Sequence, residues 1–546
     1  MDRWRWGALV LFVLLALLHT YPLVTDPASL SRNDNADTIL NTWIVSWVAQ
    51  QVLADPAHLF DANIFHPQGY QLARSEPLIV PGLMAIPIRG VGASPVLTYN
   101  VLLLVGFALT GFVTYLVVFD WTGDHAAGVL AGAVLAFNAH TLTRLPHLQA
   151  IHAYWLPLAL WALDGVLCGR RGREMWWLCL AVSGAALTSG YLAVLVVFAL
   201  MATAGSRPLE WWGRNRLRVV VRLAAAGGIT VMVTAAVLWP YGQVAAVRPL
   251  DGLRSLSATL WSYVASVSRV HYAAWSHHIF PERTEDLLFP GLTALALAGL
   301  ALTRGWREEG GRRRRSCVVI LIVGLVMSLG TATPVYAWIY HAFPPMGGIR
   351  APARFGYLVI AAVALLAGYG LSDLRRRLSP VQARAVGFAM VALITIESVH
   401  APIRYVRSDG VSSVYRVIAE DTDDVAVLEL PLYRGPEFYR NAPYLLASIA
   451  HWKPLVNGYS GSRPATYDRL TRPLSRFPSN QSVRRLRRLG VRYVVAHVAA
   501  YDDSATARRV FSELKHPALE LVAKEGDDYV FRIRRVRPID RSDGAP

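Results

Sequence analysis

The chain has 546 residues, 54% of them hydrophobic and 17% charged, and its mean hydropathy is positive. A formal net charge of +17 would suit a nucleic-acid partner. However, repeated apolar runs of membrane-crossing length exclude a soluble enzyme and assign the basic residues to the cytoplasmic loops of a polytopic protein, so no nucleic acid is expected. Cys168, Cys179 and Cys317 fall in or beside apolar spans without metal-ligand spacing, which argues against a disulfide framework or a zinc site.

Trp6 to Val24 forms the first span. Only Met1-Asp2-Arg3-Trp4-Arg5 precedes it and no small-residue cleavage site follows, so a retained helix with a cytoplasmic start is expected. The long loop Thr25 to Pro95 opens with Asn33-Asp34-Asn35-Ala36-Asp37 and runs into an amphipathic stretch, Thr38 to Leu53. Trp43 and Trp47, at helical spacing, suit a helix lying on the outer leaflet. Asp34, Asp37 and Glu76 put acid/base chemistry at the bilayer surface, where a carboxylate takes a proton from an acceptor hydroxyl. The simpler role for Asp37 is to cap a helix beginning at Thr38, and the two roles are compatible. Leu78 to Val91 is short and interrupted by Pro81 and Pro87, which predicts a re-entrant or surface-lying segment rather than a crossing.

Further spans are expected over Val96 to Phe119, Ala126 to Leu142, Gln149 to Leu167, Met175 to Thr188, Tyr191 to Ala204, Val219 to Trp239, Leu287 to Leu302, Cys317 to Leu329, Phe355 to Leu371 and Val386 to Val399. With the first, that makes about eleven crossings. The Arg clusters at 170–173, 214–218, 312–315 and 375–377 then all fall on the cytoplasmic side. Ser189-Gly190 divides Met175 to Ala204, whose two ends are both basic, so a hairpin is required there.

Charge is nearly absent from the middle of the spans, which leaves chemistry to the outer loops, including 241–286 and 330–354. The loop after the third span carries His140, Arg144 and His147, with His152 one turn on. These histidines suit interfacial or hydrogen-bonding roles, and no carboxylate completes a metal site. The loop 241–286 adds Arg269, His271, Tyr272, His277 and His278, suited to closing over a bound lipid or to forming a non-catalytic cap. The last outer loop holds Arg350 and Arg354 on the side where Arg is disfavoured, beside an inward-running helix that Pro352 starts well. A helix start with two guanidiniums makes a phosphate site; the alternative is a pair of snorkelling anchors.

After Ala401 the apolar runs stop. Val425 to Leu430, Val491 to His497 and Tyr529 to Ile533 read as strands with helical stretches between them. The domains expected are therefore 1–400, a transmembrane domain with large outer loops 25–95, 241–286 and 330–354; 401–536, a soluble extracytoplasmic α/β domain; and 537–546, a disordered tail.

Asp37-Thr38-Ile39-Leu40-Asn41-Thr42-Trp43, Leu59 to Pro67, Ser75-Glu76, His147-Leu148-Gln149, Arg350-Ala351-Pro352-Ala353-Arg354 and His451 to Gly461 are similar to a group of bacterial membrane proteins assigned to the GT-C superfamily, polytopic glycosyltransferases with polyprenyl-phosphate or pyrophosphate donors. The resemblance implies a polytopic α-helical GT-C-like fold in the bacterial inner membrane, working in the cell envelope. It implies a hexosyl- or pentosyltransferase that moves sugar from a polyprenyl-phosphate donor to a glycan or protein acceptor by inverting single displacement. Asp37 matches the position of the catalytic base, with Asp34 the second choice. Glu76, His147, Arg269, His271, Arg350 and Arg354 are the substrate-binding candidates, with Asp34 among them. A second-loop acidic motif that some members use is replaced by His140, Arg144 and His147, so a divalent cation (Mg or Mn) is a cofactor the resemblance leaves open. The rival readings are a transporter or flippase for lipid-linked glycans, which would bury charge near the midplane and show related halves, and a non-catalytic polysaccharide assembly protein.

Overall fold

The computed structural model describes residues 3–170, 172–211, 216–244, 249–303, 309–408 and 410–535. The expected tail 537–546, and Arg171 and Arg214 of the basic loops, lie outside the described residues. Two compact units emerge, Met1–Asp34 with Glu76–Arg407, and Asn35–Ser75 with Ser408–Pro546. Where the sequence reading placed a boundary at residue 400, the segment 35–75, read as an outer loop of the membrane domain, groups with the residues from Ser408 on.

The first unit is helical. Among the described residues, Pro95–Thr122, Leu148–Leu167, Arg216–Ala235, Pro352–Arg375 and Pro380–Ser398 are long and apolar enough to cross a membrane, and Ile79–Gly90, His125–Ala136, Gly190–Gly205 and Leu292–Leu302 are shorter apolar helices. The helix Gly356–Arg375 is buried from Gly356 to Ser372, whereas Arg216–Ala235 and Pro380–Ser398 leave Val231, Met232, Phe388 and Ile396 exposed. Glycine permits the closest approach: a Cβ on Gly370 would lie 1.9 Å from the Leu297 carbonyl oxygen, the small-residue packing expected where helices meet without water. Ile79–Gly90 has 12 residues, which at roughly 1.5 Å per residue falls short of the hydrocarbon core.

Two expected spans are broken. The helix from His125 ends at Ala136; Phe137 leaves helical geometry, and the Asn138 side chain caps a separate turn, Ala139–Leu142, through the Thr141 N–H. The span near Gln149 is interrupted at His152, after which Trp155–Leu167 continues. Arg173–Thr188 and Gly190–Gly205 are separate helices that pack together, divided at the extended Ser189. Asp164 is buried between Arg207 at 2.7 Å and Arg313 at 2.9 Å, and Arg314 pairs with Asp373 at 2.8 Å. These pairs join helices at the ends where the sequence concentrates arginine. Strands β1 (Leu30–Ser31) and β2 (Val406–Arg407) pair antiparallel and bring the flanks of the unit together.

The second unit is built on β3 (Ala426–Leu430), β4 (Val491–His497), β5 (Leu519–Glu525) and β6 (Asp528–Ile533), in the order β3-β4-β6-β5. Only β3 and β4 are parallel in this sheet. Leu428, Val494, Phe511 and Phe531 lie in its core. The helix Ala36–Ala54 packs on Ala442–Ser448. It is buried continuously from Thr38 to Ala49, with Trp43 only 1% exposed. Its Trp43 and Trp47 indoles donate to Asn63 Oδ1 and the Leu59 carbonyl. Burial on every face, with Thr38, Asn41, Thr42 and Ser46 included, marks a helix of a protein interior, which corrects the expectation that this segment lies on a membrane surface.

Candidate functional site

In the first unit, five short pieces of chain converge. After the Asn138-capped turn, the Arg144 N–H donates to the Thr141 carbonyl at 3.0 Å, and Arg144 is left only 3% exposed. The helix Gly190–Gly205 starts at Ser189, whose hydroxyl accepts from the Leu192 N–H. The Glu76 carboxylate accepts from the Gly190 N–H at 2.7 Å, an anion where the exposed N–H groups and the helix dipole favour one. The turn Thr284–Asp286 supplies Glu285. Pro352–Phe355 leads into the central helix and supplies Arg354.

Glu285 Oε1 takes Arg144 at 2.8 Å and Arg354 at 3.3 Å, while Oε2 takes Arg283 at 3.1 Å. The Arg354 guanidinium sits 4.1 Å above the Tyr191 ring, and the Tyr191 hydroxyl accepts from the Arg350 N–H at 2.7 Å. A cavity of about 50 Å³ opens among His140, Arg144, His147, Gln149, Ser189, Tyr191, Arg354 and Tyr357. That exceeds the roughly 10–15 Å³ one water needs. The buried His140 Nδ1 and Tyr357 hydroxyl have no hydrogen-bond partner among the described residues, so the cavity wall offers polar groups to a bound molecule.

The electrostatics favour an anion. Burial alone would raise the Glu285 carboxyl, but the charges of Arg144 and Arg354 and a hydrogen bond from Arg144 prevail, holding it well below the usual carboxylate range. Burial lifts Asp286 to about 6 against the pull of Arg283, and the Glu285 charge adds to the rise. Burial also raises Glu76, although Arg354 and hydrogen bonds around Ser189 and Gly190 oppose it. Arg144 and Arg354 thus share one firmly ionised carboxylate, whose other oxygen takes Arg283.

Of the sequence candidates, His147 and Arg354 line the cavity, and Glu76 stands at the adjoining helix start. Arg350 is exposed and contributes its backbone N–H. Arg269 ties its loop to the Ala401 carbonyl and, through its N–H, to Val399. His271 is buried, bonded to Ser268 and packed against Trp275 and Phe289, with burial lowering its pKa. Neither lines the cavity. Asp34 is exposed and pairs with Arg32 at 3.1 Å. Sequence reasoning missed Glu285, Tyr191 and the pairing of Arg144. The cluster Arg283-Thr284-Glu285-Asp286 just before an apolar span was the available signal, since a carboxylate there has outer-side arginines to answer.

Asp37 lies in the second unit. The cap of its helix is Asn35, whose side chain accepts from the Asp37 N–H at 2.9 Å. The capping role proposed for Asp37 is therefore taken by Asn35, and the Asp37 carboxylate instead accepts from the Tyr459 hydroxyl at 2.8 Å. Among the described residues no group of three or more His, Cys, Asp and Glu is placed to hold a metal. Beside the cavity, the strongly ionised Glu285 carboxylate already answers Arg144, Arg354 and Arg283.

The family described as a domain of unknown function, DUF6311, matches residues 62–396. The chain belongs to the DUF6311 family. No curated protein matches its sequence. In structure the DUF6311 chain is similar to the mycobacterial arabinofuranosyltransferase AftD, with a TM-score of 0.62 and 16% identity over 98% of this chain and 42% of AftD. It is also similar to ArnT from Cupriavidus metallidurans bound to undecaprenyl phosphate, with a TM-score of 0.50 and 14% identity over 96% of this chain and 98% of ArnT. The chain thus spans about two fifths of the length of AftD. The DUF6311 protein has the fold of the GT-C membrane glycosyltransferases.

Proposed function

We propose that this DUF6311 protein is a membrane glycosyltransferase that moves a sugar from a polyprenyl-phosphate carrier to an extracytoplasmic glycan or protein acceptor. The observation that carries the reading is the pair Arg144, buried, and Arg354, half-buried, at a cavity that His140, Gln149 and Tyr191 also line, in a fold shared with an enzyme solved bound to undecaprenyl phosphate. In the proposed reaction the acceptor hydroxyl loses its proton to Asp37 and attacks the anomeric carbon, with inversion. The bond from that carbon to the phosphate oxygen breaks and the lipid phosphate leaves. Arg144 and Arg354 offset the charge on the departing phosphate, as fixed cationic groups do for developing anions generally. Glu285 keeps both guanidiniums oriented before the donor arrives.

The Arg distribution supports a cytoplasmic N-terminus, about eleven crossings and an extracytoplasmic second unit in the bacterial inner membrane; a reporter fused after Pro546 is then active only when exported. The function is tested with full-length protein in nanodiscs, by native mass spectrometry with undecaprenyl phosphate and by transfer from undecaprenyl-phosphate-linked sugars. Retention of the lipid and its loss in the double variant Arg144→Gln/Arg354→Gln support the reading. Equal retention by parent and double variant overturns it.

A further inference from the structure

We infer that Tyr459 is the positioning residue for Asp37, holding its carboxylate ionised and oriented through the phenolic hydrogen bond. The inference rests on the reading of Asp37 as the base. The two residues are 422 positions apart in sequence and 2.8 Å apart in space, with the Tyr459 hydroxyl donating to Asp37 Oδ1. A donor to the charged form of a carboxylate favours that form, and Asp37 sits in the first turn of its helix, where the dipole acts in the same direction.

The Tyr459 side is fixed by its backbone. Phe65 N–H donates to the Asn457 carbonyl at 2.9 Å, and Asn457 is clasped to β3 by two bonds with the Glu429 backbone, at 2.8 and 2.9 Å. A Cβ on Gly458 would lie 2.6 Å from the Phe65 ring, and one on Gly461 would lie 2.8 Å from the Arg74 carbonyl oxygen. Tyr459 therefore stands between two glycines whose close approach to the 60–75 segment no larger residue permits. Its ring packs on Phe438 with centroids 5.2 Å apart. The Asp37 side is fixed as well, by the Asn35 cap and by the Asn41 amide donating to the Asp37 carbonyl at 2.7 Å. A hydroxyl held on a clamped loop, aimed at a carboxylate that does not serve as the cap, is what tuning that carboxylate requires. Packing alone would be met by the phenyl ring.

The test uses full-length protein in detergent and needs no sugar donor. Carbodiimide labelling of Asp37 is followed by tandem mass spectrometry across pH, so the midpoint reports protonation of that side chain. Tyr459→Phe removes the donor and keeps the ring. Its midpoint is expected about one pH unit above the parent's, a roughly tenfold change of the size one hydrogen bond to a charged group produces. Phe438→Leu, which disturbs the packing and keeps the phenol, is expected to match the parent. Coincident midpoints for parent and Tyr459→Phe overturn the inference, as does an equal displacement in Phe438→Leu. The base reading is scored separately by sugar transfer: an Asp37→Asn protein that transfers at the parental rate fails that reading whatever the labelling shows.

Discussion

The buried Arg144 meets the half-buried Glu285 at 2.8 Å, and Arg354 reaches the same carboxylate oxygen. The carboxylate occupies the guanidiniums as a lipid phosphate would, so the pocket is charge-compensated when empty and has a donor array ready when an anion arrives.

Removing that carboxylate leaves the buried Arg144 and the half-buried Arg354 and Arg283 with one partner fewer. Glu285→Gln is expected to destabilise the protein by about 1–3 kcal/mol, the usual cost of leaving a buried donor without its partner. Undecaprenyl phosphate should restore more thermal stability to this variant than it adds to the parent. Thermal unfolding in detergent with and without the lipid checks this; equal lipid-induced shifts would count against an anion site.

The arginines of the last outer loop should separate in function. Arg354→Gln and Arg144→Gln are each expected to weaken undecaprenyl-phosphate binding by about 1.5–3 kcal/mol, whereas Arg350→Gln, whose side chain is exposed, changes it little. Lys at 354 should restore binding only partly, because the charge returns without the planar fork. Titration in nanodiscs measures all four variants.

Asn35 and Asp37 should separate in the same way. Asp37→Asn keeps the cap and is expected to abolish transfer from undecaprenyl-phosphate-linked sugars with little change in stability. Asn35→Ala removes the side chain that accepts from the Asp37 N–H and should cost about 1 kcal/mol of stability. Transfer assays read beside unfolding curves distinguish these outcomes. A stable and fully active Asp37→Asn would return Asp34 to consideration as the base.

In the second unit, His497 at the end of β4 lies between Glu429 at 2.9 Å and Asp528 at 2.8 Å. Burial alone would lower its pKa, but hydrogen bonds and charge from Asp528 and Glu429 outweigh burial and lift it to about 9. Because the folded value lies above the unfolded one near 6.5, this stabilisation is fully present below pH 6.5 and is lost as pH rises through 9. Hydrogen exchange of β4 amides between pH 6 and 10, corrected for intrinsic rates, should show protection falling in the parent. His497→Gln should be flatter across the same range.

Long apolar helices such as Pro95–Thr122 and Pro352–Arg375, the break at Ser189-Gly190 and the strands β3, β4 and β6 were legible in the sequence because each is written in local hydrophobic pattern and turn residues. The edge strand β5 was not, since Leu519-Glu520-Leu521-Val522-Ala523-Lys524-Glu525 is largely open to solvent and carries no apolar run. The interruptions at Phe137 and His152 were also illegible, as apolar composition continues through both.

By itself the sequence determined a helical protein with segments apolar enough to cross a membrane, its arginines and carboxylates kept to the loops and helix ends between them. These properties follow from the cost of placing charge in hydrocarbon, which acts residue by residue. Only the tertiary structure decided that Glu285 answers Arg144 and Arg354, that His271 is a packed core residue, that the helix Ala36–Ala54 is buried in the C-terminal unit, and that Asp37 faces Tyr459. Each depends on which distant segments share a neighbourhood. A charge or a tryptophan in sequence states what kind of partner it needs, and only the folded chain brings that partner within about 3 Å, where hydrogen bonds and ion pairs form.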